Sequence, residues 1–192
     1  MAFIFCLAAW PGAVWAETVP LTEVVRQAMA IYFGQSAPKP GEKPYAALAR
    51  RLTPAVADRK PAGVFVTLSR DGQSRACWGS VYPQHKNVVE STIYTTLGAL
   101  TKEYRYKPIS RSEWQTLKPQ VTVVRELEPI EGLRALNPLR DGLMVRAGGR
   151  AGVILPGEAK DATYQLVQAR LKAGIRPGEK YQLYRIVADV YQ

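Results

Sequence analysis

One β-hairpin constrains the fold of this 192-residue chain more than any other feature of the sequence. Residues 62–69 (AGVFVTLS) are apolar and β-branched without alternation, which is typical of a central strand buried on both faces. Asp71-Gly72 is a hairpin turn signal, and residues 74–82 (SRACWGSVY) alternate after it. We therefore predict a hairpin over residues 62–82. Arg75 and Cys77 share one face of its return strand, and Trp78 lies on the other.

The other segments favour an α+β fold. Helical periodicity or flanking signals predict helices over 21–33, 45–52, 87–102 and 161–173. Further strands are predicted over 120–125, 143–147, 151–155 and 180–191. Residues 37–44 (APKPGEKP) hold three prolines and a glycine, and we predict a linker there. Because the strands adjoin as hairpins with helices interspersed, we expect a single compact domain with a mostly antiparallel sheet.

The first 16 residues differ from the rest of the chain. They carry no charged side chain, and Glu17 follows them directly. The run is too short to span a bilayer, which needs about 20 residues, and Ala16 supplies the small residue of a signal-peptidase site. We predict a cleavable signal peptide over 1–16, a domain over 17–192 and export to the periplasm or the extracellular space. A retained anchor or a buried helix is the alternative.

Composition narrows the classes of function. Removal of residues 1–16 would leave Cys77 as the single cysteine, which excludes a disulfide framework and a zinc site built on several cysteines. One histidine and the absence of P-loop, GxGxxG and GxSxG motifs predict neither a metal nor a cofactor. The formal charge of +10 favours an anionic membrane or cell-wall surface as partner, since export argues against nucleic acid.

The hairpin resembles the signature of the AMMECR domain, named for the Alport, midface hypoplasia and elliptocytosis chromosomal region. Residues 63–68 read GVFVTL as in that family, and residues 74–80 (SRACWGS) are similar to its LRGCIG. Further segments match in the same order: EYRYKPI (103–109), GLMV (142–145), VILP (153–156) and KAGI (172–175). Ala76, Trp78 and Gly157 depart from the glycine, isoleucine and glutamine of the family pattern.

The resemblance implies a compact α+β domain without an established reaction. In bacteria and archaea such domains look like component A of the AmmeMemoRadiSam system. It therefore implies two candidate partners, a Memo-type protein and a radical S-adenosylmethionine protein. No catalytic residue carries over from the family.

Candidate site residues surround Cys77. A guanidinium at Arg75 would favour the thiolate, and His85, eight residues on, would complete a Cys–His pair if the chain doubled back. Cys77 is alternatively a packed structural thiol, since free cysteine is among the most buried residue types. Glu103 and Arg105 are candidates for ligand binding or for a salt bridge between a helix and the sheet. Trp78 could stack on a sugar or pack at a core or interface.

Three hypotheses of function follow. The first is a binding or assembly module that presents Arg75, Cys77 and Trp78 to a protein or a small ligand. The second is a thiol-dependent enzyme using Cys77 with His85 and Arg75. The third is a basic peripheral protein that attaches to an anionic membrane or cell wall. The first two are distinguished by whether Cys77 is exposed in a concave pocket within reach of His85. The third predicts salt-sensitive binding of the mature protein to anionic vesicles.

Overall fold

The predicted hairpin is the start of the sheet. In the computed structural model, which describes residues 18–34 and 43–192, it consists of β1 (Gly63–Arg70) and β2 (Gln73–Ser80). Asp71 and Gly72 both have positive φ angles, 52° and 76°, as a two-residue turn that matches the twist of the strands requires. The predicted signal peptide (1–16) and residues 37–42 of the predicted linker lie outside the described residues.

Among the described residues, four further strands complete one antiparallel sheet: β3 (Lys118–Ile130), β4 (Asp141–Ala147), β5 (Arg150–Ile154) and β6 (Gln182–Tyr191). The strand order is β2-β1-β3-β6-β4-β5. The strand predicted at 62–69 is an interior strand of the sheet, as expected, since β1 lies between β2 and β3. β1 is also buried on both faces: Val64 and Val66 pack on one side, and Phe65 packs on the other.

The strand predicted at 120–125 is longer than its apolar pattern. β3 continues through Glu126, Glu128 and Pro129, which read as surface or turn residues in the sequence. It continues because β6 pairs with it along nearly its whole length, past an irregularity between Val124 and Glu126. Pairing with a neighbouring strand has here outweighed the local pattern.

In the part of the chain that the structure describes, four α-helices cover the outer surface of the sheet: α1 (Leu21–Tyr32), α2 (Pro44–Leu52), α3 (Val88–Thr101) and α4 (Ala162–Ala173). Asn87 caps α3 by accepting a hydrogen bond from the Glu90 amide, and Gly174 ends α4 with a φ of 62°. Pro44, assigned to the linker from sequence, is instead the first residue of α2. Proline is well tolerated at this position because the main-chain N–H that it lacks would have no partner within the helix. Within the described residues, no helix has the length and apolar character needed to span a bilayer.

Three apolar clusters of described residues stabilise the fold. The helical cluster packs α1, α2 and α3 on β1 and β3, and the α4 cluster packs α4 on β4 and β5. The inner cluster contains Phe65, Val124, Met144, Leu155 and Ile186, with Cys77 and Val153 packed against it. The inner cluster joins strands from both ends of the strand order. The sheet therefore curls, and the inner cluster lines its concave face. The α+β, mostly antiparallel architecture predicted from sequence is therefore confirmed.

Candidate functional site

The candidate site is a cleft on the concave face, with the β1–β2 hairpin on one side and β4, β5 and the following loop on the other. Two cavities lie along it. One, of about 360 Å³, is lined by residues that include Phe65, Gly79 and Val153. The other, of about 640 Å³, is lined by residues that include Thr67 and Glu158. The first has a largely apolar floor, whereas hydroxyl and amide groups line much of the second.

Cys77 lies between these two cavities. Its cross-strand partner is Thr67, whose hydroxyl donates a hydrogen bond of 3.4 Å to the Cys77 sulfur. Two residues along the hairpin in one direction, the Phe65–Gly79 pair borders the smaller cavity. In the other direction, Ser69 and Ser74 border the larger one. The signature cysteine is thus a partly buried residue of the cleft floor.

The thiol of Cys77 is held in its neutral form. Burial raises its pKa, and the charge of Glu158 acts in the same direction. The Thr67 hydrogen bond and the charges of Lys172 and Arg105 oppose this, and the net pKa remains above its ordinary value. A protonated thiol is a weak nucleophile, because the thiolate is the reactive form.

Arg75 does not accompany the thiol. Its guanidinium forms a two-pronged ion pair with Glu113, at 2.6 Å and 3.1 Å, and also donates to the Lys107 carbonyl. The pair lies beside the 3-10 turn that follows Glu113, outside the cleft floor. Arg75 therefore ties β2 to the segment that leads into β3.

His85 lies on the opposite side of β2 from Cys77. Its ring stacks on Tyr94 of α3 with centroids 4.7 Å apart. Together with Trp78 it borders a third cavity of about 500 Å³, between β2 and α3. The Cys77–His85 pair considered from sequence is therefore not formed, because alternation along β2 directs Cys77 and Trp78 to opposite faces.

Glu103 and Arg105 hold the main chain of Cys77. The Glu103 carboxylate accepts the Cys77 N–H at 3.2 Å, and Arg105 donates to the Cys77 carbonyl at 3.3 Å. The two side chains also pair with each other at 2.5 Å. Burial alone would raise the pKa of Glu103, but hydrogen bonds from the Arg105 side chain and from the Arg105 and Cys77 amides outweigh it, and the pKa is about 2. The ion pair is thus local to the segment after α3, and hydrogen bonds to the Cys77 main chain, rather than a salt bridge, tie this segment to the sheet.

Trp78 packs against α3. Its indole lies so close to Gly98 that a Cβ there would be 2.2 Å from the ring, and Lys102 sits 5.9 Å from the ring centroid. A partly buried indole against a helix is typical of packing. The same ring also borders the third cavity.

Sequence reasoning missed the wall opposite Cys77. Lys172 of α4 donates to the Val153 carbonyl at 2.9 Å and pairs with Glu158 at 3.4 Å. Arg146 of β4 borders the smaller cavity. These residues lie 69–95 positions from Cys77 in the sequence, and no local pattern joins them to the hairpin. Lys172 does fall within the KAGI segment that resembles the family. Among the residues that the structure describes, no three His, Cys, Asp or Glu side chains gather as a metal site would require.

The model of the AMMECR1 family matches residues 22–192, which includes the hairpin, the cleft and the four described helices except Leu21, the first residue of α1. The chain belongs to the AMMECR1 family. A protein of Thermotoga maritima is 32% identical over 138 residues, covering 70% of this chain and 79% of that protein. A protein of Methanopyrus kandleri is 34% identical over 189 residues, covering 90% and 86%.

A solved structure has the same fold. It is the crystal structure of an uncharacterised Pyrococcus horikoshii protein, which superimposes on this AMMECR1 domain with a TM-score of 0.70 at 25% sequence identity. The match covers 91% of this chain and 92% of that one. The resemblance noted from the hairpin is thus confirmed at the level of the family and the fold.

Proposed function

We propose that this AMMECR1 domain is a binding or assembly module, and that it presents the hairpin around Cys77 to a ligand or protein segment seated in the concave cleft. The observation that carries the proposal is the position of Cys77. It lies between two cavities with a neutral thiol, fixed through Thr67, Glu103 and Arg105. A rigid floor with adjoining cavities is suited to recognition, since little order is lost when a ligand binds.

The same contacts weigh against the thiol-dependent enzyme. An activated cysteine needs a base within hydrogen-bond reach or a depressed pKa. His85 stacks on Tyr94 instead, Arg75 pairs with Glu113, and burial raises the pKa of Cys77. The catalytic use of these residues therefore finds no support in their geometry.

The third hypothesis, attachment to an anionic surface, stays a prediction. Several of the basic side chains are already paired with carboxylates, among them Arg75, Arg105, Arg125, Arg150, Lys172 and Arg185. Exposed pairs of this kind add little to stability but do reduce the local field. Export and the association with a Memo-type or radical S-adenosylmethionine protein also stay predictions.

The rate at which Cys77 is alkylated distinguishes the binding-module hypothesis from the enzyme hypothesis. In the Cys6→Ser chain, Cys77 is the one remaining thiol, so iodoacetamide uptake measured by mass spectrometry reports on it alone. We expect uptake at neutral pH at least about tenfold slower than in urea, with an apparent pKa above the free value of about 8.5. Cys77→Ser should lower the free energy of unfolding by about 1–2 kcal/mol, because a hydroxyl replaces a partly buried thiol. Fast native labelling with unchanged stability would favour the enzyme.

Methionine methyl groups allow a direct search for occupancy of the cleft. Met144 belongs to the inner cluster and borders the smaller cavity, whereas Met29 lies in the helical cluster. We expect members of a small-molecule and peptide collection to shift the ¹³C-methyl signal of Met144 and to leave that of Met29 in place. If every compound that binds leaves the Met144 signal unmoved, the cleft is not the binding site.

A further inference from the structure

The two edge strands of the sheet, β2 and β5, expose main-chain groups in a regular alternation. The two-residue turns of both hairpins fix which residues face outward, since hydrogen-bonded and non-hydrogen-bonded pairs alternate from the turn. Past the bulge at Leu68/Ser69, the outward residues of β2 are Cys77 and Gly79. Those of β5 are Ala151 and Val153.

Charged side chains cover one outward residue on each edge. Glu103 and Arg105 take the N–H and carbonyl of Cys77, and Lys172 takes the carbonyl of Val153. Covering an edge with charged groups prevents unwanted strand pairing. The alternation and these contacts agree, since both place the same residues on the outside.

Gly79 and Ala151 are the outward residues on which neither main-chain group is covered. Within residues 18–34 and 43–192, no hydrogen bond takes up their main-chain groups. Both residues border the same cavity of about 360 Å³. Both strand edges therefore have open main-chain groups at one cavity, whereas Cys77 is covered at both groups and Val153 at its carbonyl.

The same cavity has the side-chain features of a peptide site. Its floor includes Phe65 and Met144, which belong to the inner cluster. Arg146, an exposed residue of β4, also borders this cavity. Among the described residues, its one hydrogen bond runs from Nε to the Gly148 carbonyl at 3.4 Å. Its terminal guanidinium nitrogens are available to a carboxylate, which they match in geometry.

We propose that this cavity binds an extended acidic peptide. Its main chain pairs with the uncovered groups of Gly79 and Ala151, its apolar side chains meet Phe65 and Met144, and a carboxylate meets Arg146. Strand addition at an open edge takes affinity from the main chain and specificity from alternate side-chain pockets. The chain's formal charge of +10 favours an acidic segment. The inference rests on the proposed binding function and adds the class of ligand.

A display library of random octapeptides tests the inference on the full chain. Selected peptides should carry an acidic residue and alternating apolar residues, and they should shift the Met144 methyl signal. Arg146→Glu should weaken their binding at least tenfold. Arg134→Glu, an exposed arginine of the same charge change, should leave affinity within about twofold.

The main-chain contribution needs its own variants. Proline at an outward edge position is tolerated but cannot donate, so Ala151→Pro should weaken binding while the Met29 signal stays in place. If Ala151→Pro fails to fold, peptides with alternate N-methylated amides replace it, and they should bind at least tenfold more weakly than the parent. Binding that survives both N-methylation and Arg146→Glu would overturn the inference, and so would a library without any enriched peptide. If small molecules still shift the Met144 methyl signal in that case, the proposed binding function would hold without the acidic peptide as its ligand.

Discussion

Glu103 is the residue on which the geometry around Cys77 depends. Its side chain is only 5% exposed, yet it remains ionised because Arg105 and two main-chain amides donate to it. A buried carboxylate with a pKa of about 2 stabilises the folded state only while it carries its charge. Its stabilising effect is therefore complete above the ordinary value of 4.5 and is lost as the pH falls towards 2.

Glu103→Gln should lower the free energy of unfolding by about 1–3 kcal/mol at pH 7, because charge-assisted hydrogen bonds become neutral ones. The difference from the unmodified chain should shrink between about pH 4.5 and pH 2, where Glu103 itself becomes protonated. Urea unfolding followed across this pH range measures it. Glu131→Gln, at an exposed residue, is the control and should show little effect. An equal loss at pH 2 and pH 7 would refute the role of the charge.

At the scale of elements, β2 and α3 pack closely because a large side chain on the strand meets a glycine on the helix. Trp78 stands where the family pattern has isoleucine, and Gly98 in the last turn of α3 gives the indole its space. A glycine within a helix usually destabilises it by about 1 kcal/mol relative to alanine. The close approach of Trp78 explains why a glycine is nevertheless found there.

Gly98→Ala should therefore destabilise the domain by about 1–3 kcal/mol, against the helix propensity that favours alanine, because the added Cβ would overlap the Trp78 ring. Adding Trp78→Ile should remove most of this penalty. Thermal or urea unfolding of the two single variants and the double variant completes the cycle. A stabilising Gly98→Ala would show that the indole moves aside without strain.

At the scale of the whole molecule, β3 and β6 join the two ends of the curled sheet. Val121 and Val123 of β3 belong to the helical cluster, while Val124 of β3 and Ile186 of β6 belong to the inner cluster. Neither end can lose its strands without exposing the shared ones. The cleft is therefore a property of the complete sheet, since its walls come from both ends.

The two ends should accordingly unfold together. Met29 reports on the helical cluster and Met144 on the inner cluster. Their methyl signals should disappear at the same urea concentration, as expected for a two-state domain of this size. Midpoints that differ by more than about 0.5 M would show two separate folding units and would contradict a shared core.

The sequence by itself determined the elements whose signals are local. The hairpin followed from its apolar run and Asp71-Gly72, and the end of α4 followed from Gly174, because turn and helix-end geometry depend on a few adjacent residues. The family likewise followed from short ordered segments. The face on which Cys77 lies was also predictable, since alternation along a strand is a local property.

Tertiary structure alone decided what surrounds Cys77. Lys172 and Glu158 reach the cleft because the sheet curls, and Glu103 and Arg105 meet the hairpin because α3 ends beside it. The same folding sent His85 to Tyr94 and Arg75 to Glu113, away from the thiol. The strand order was likewise decided by the tertiary structure. Strands far apart in the chain pair because of how the whole sheet packs, and no local sequence pattern indicates such pairing.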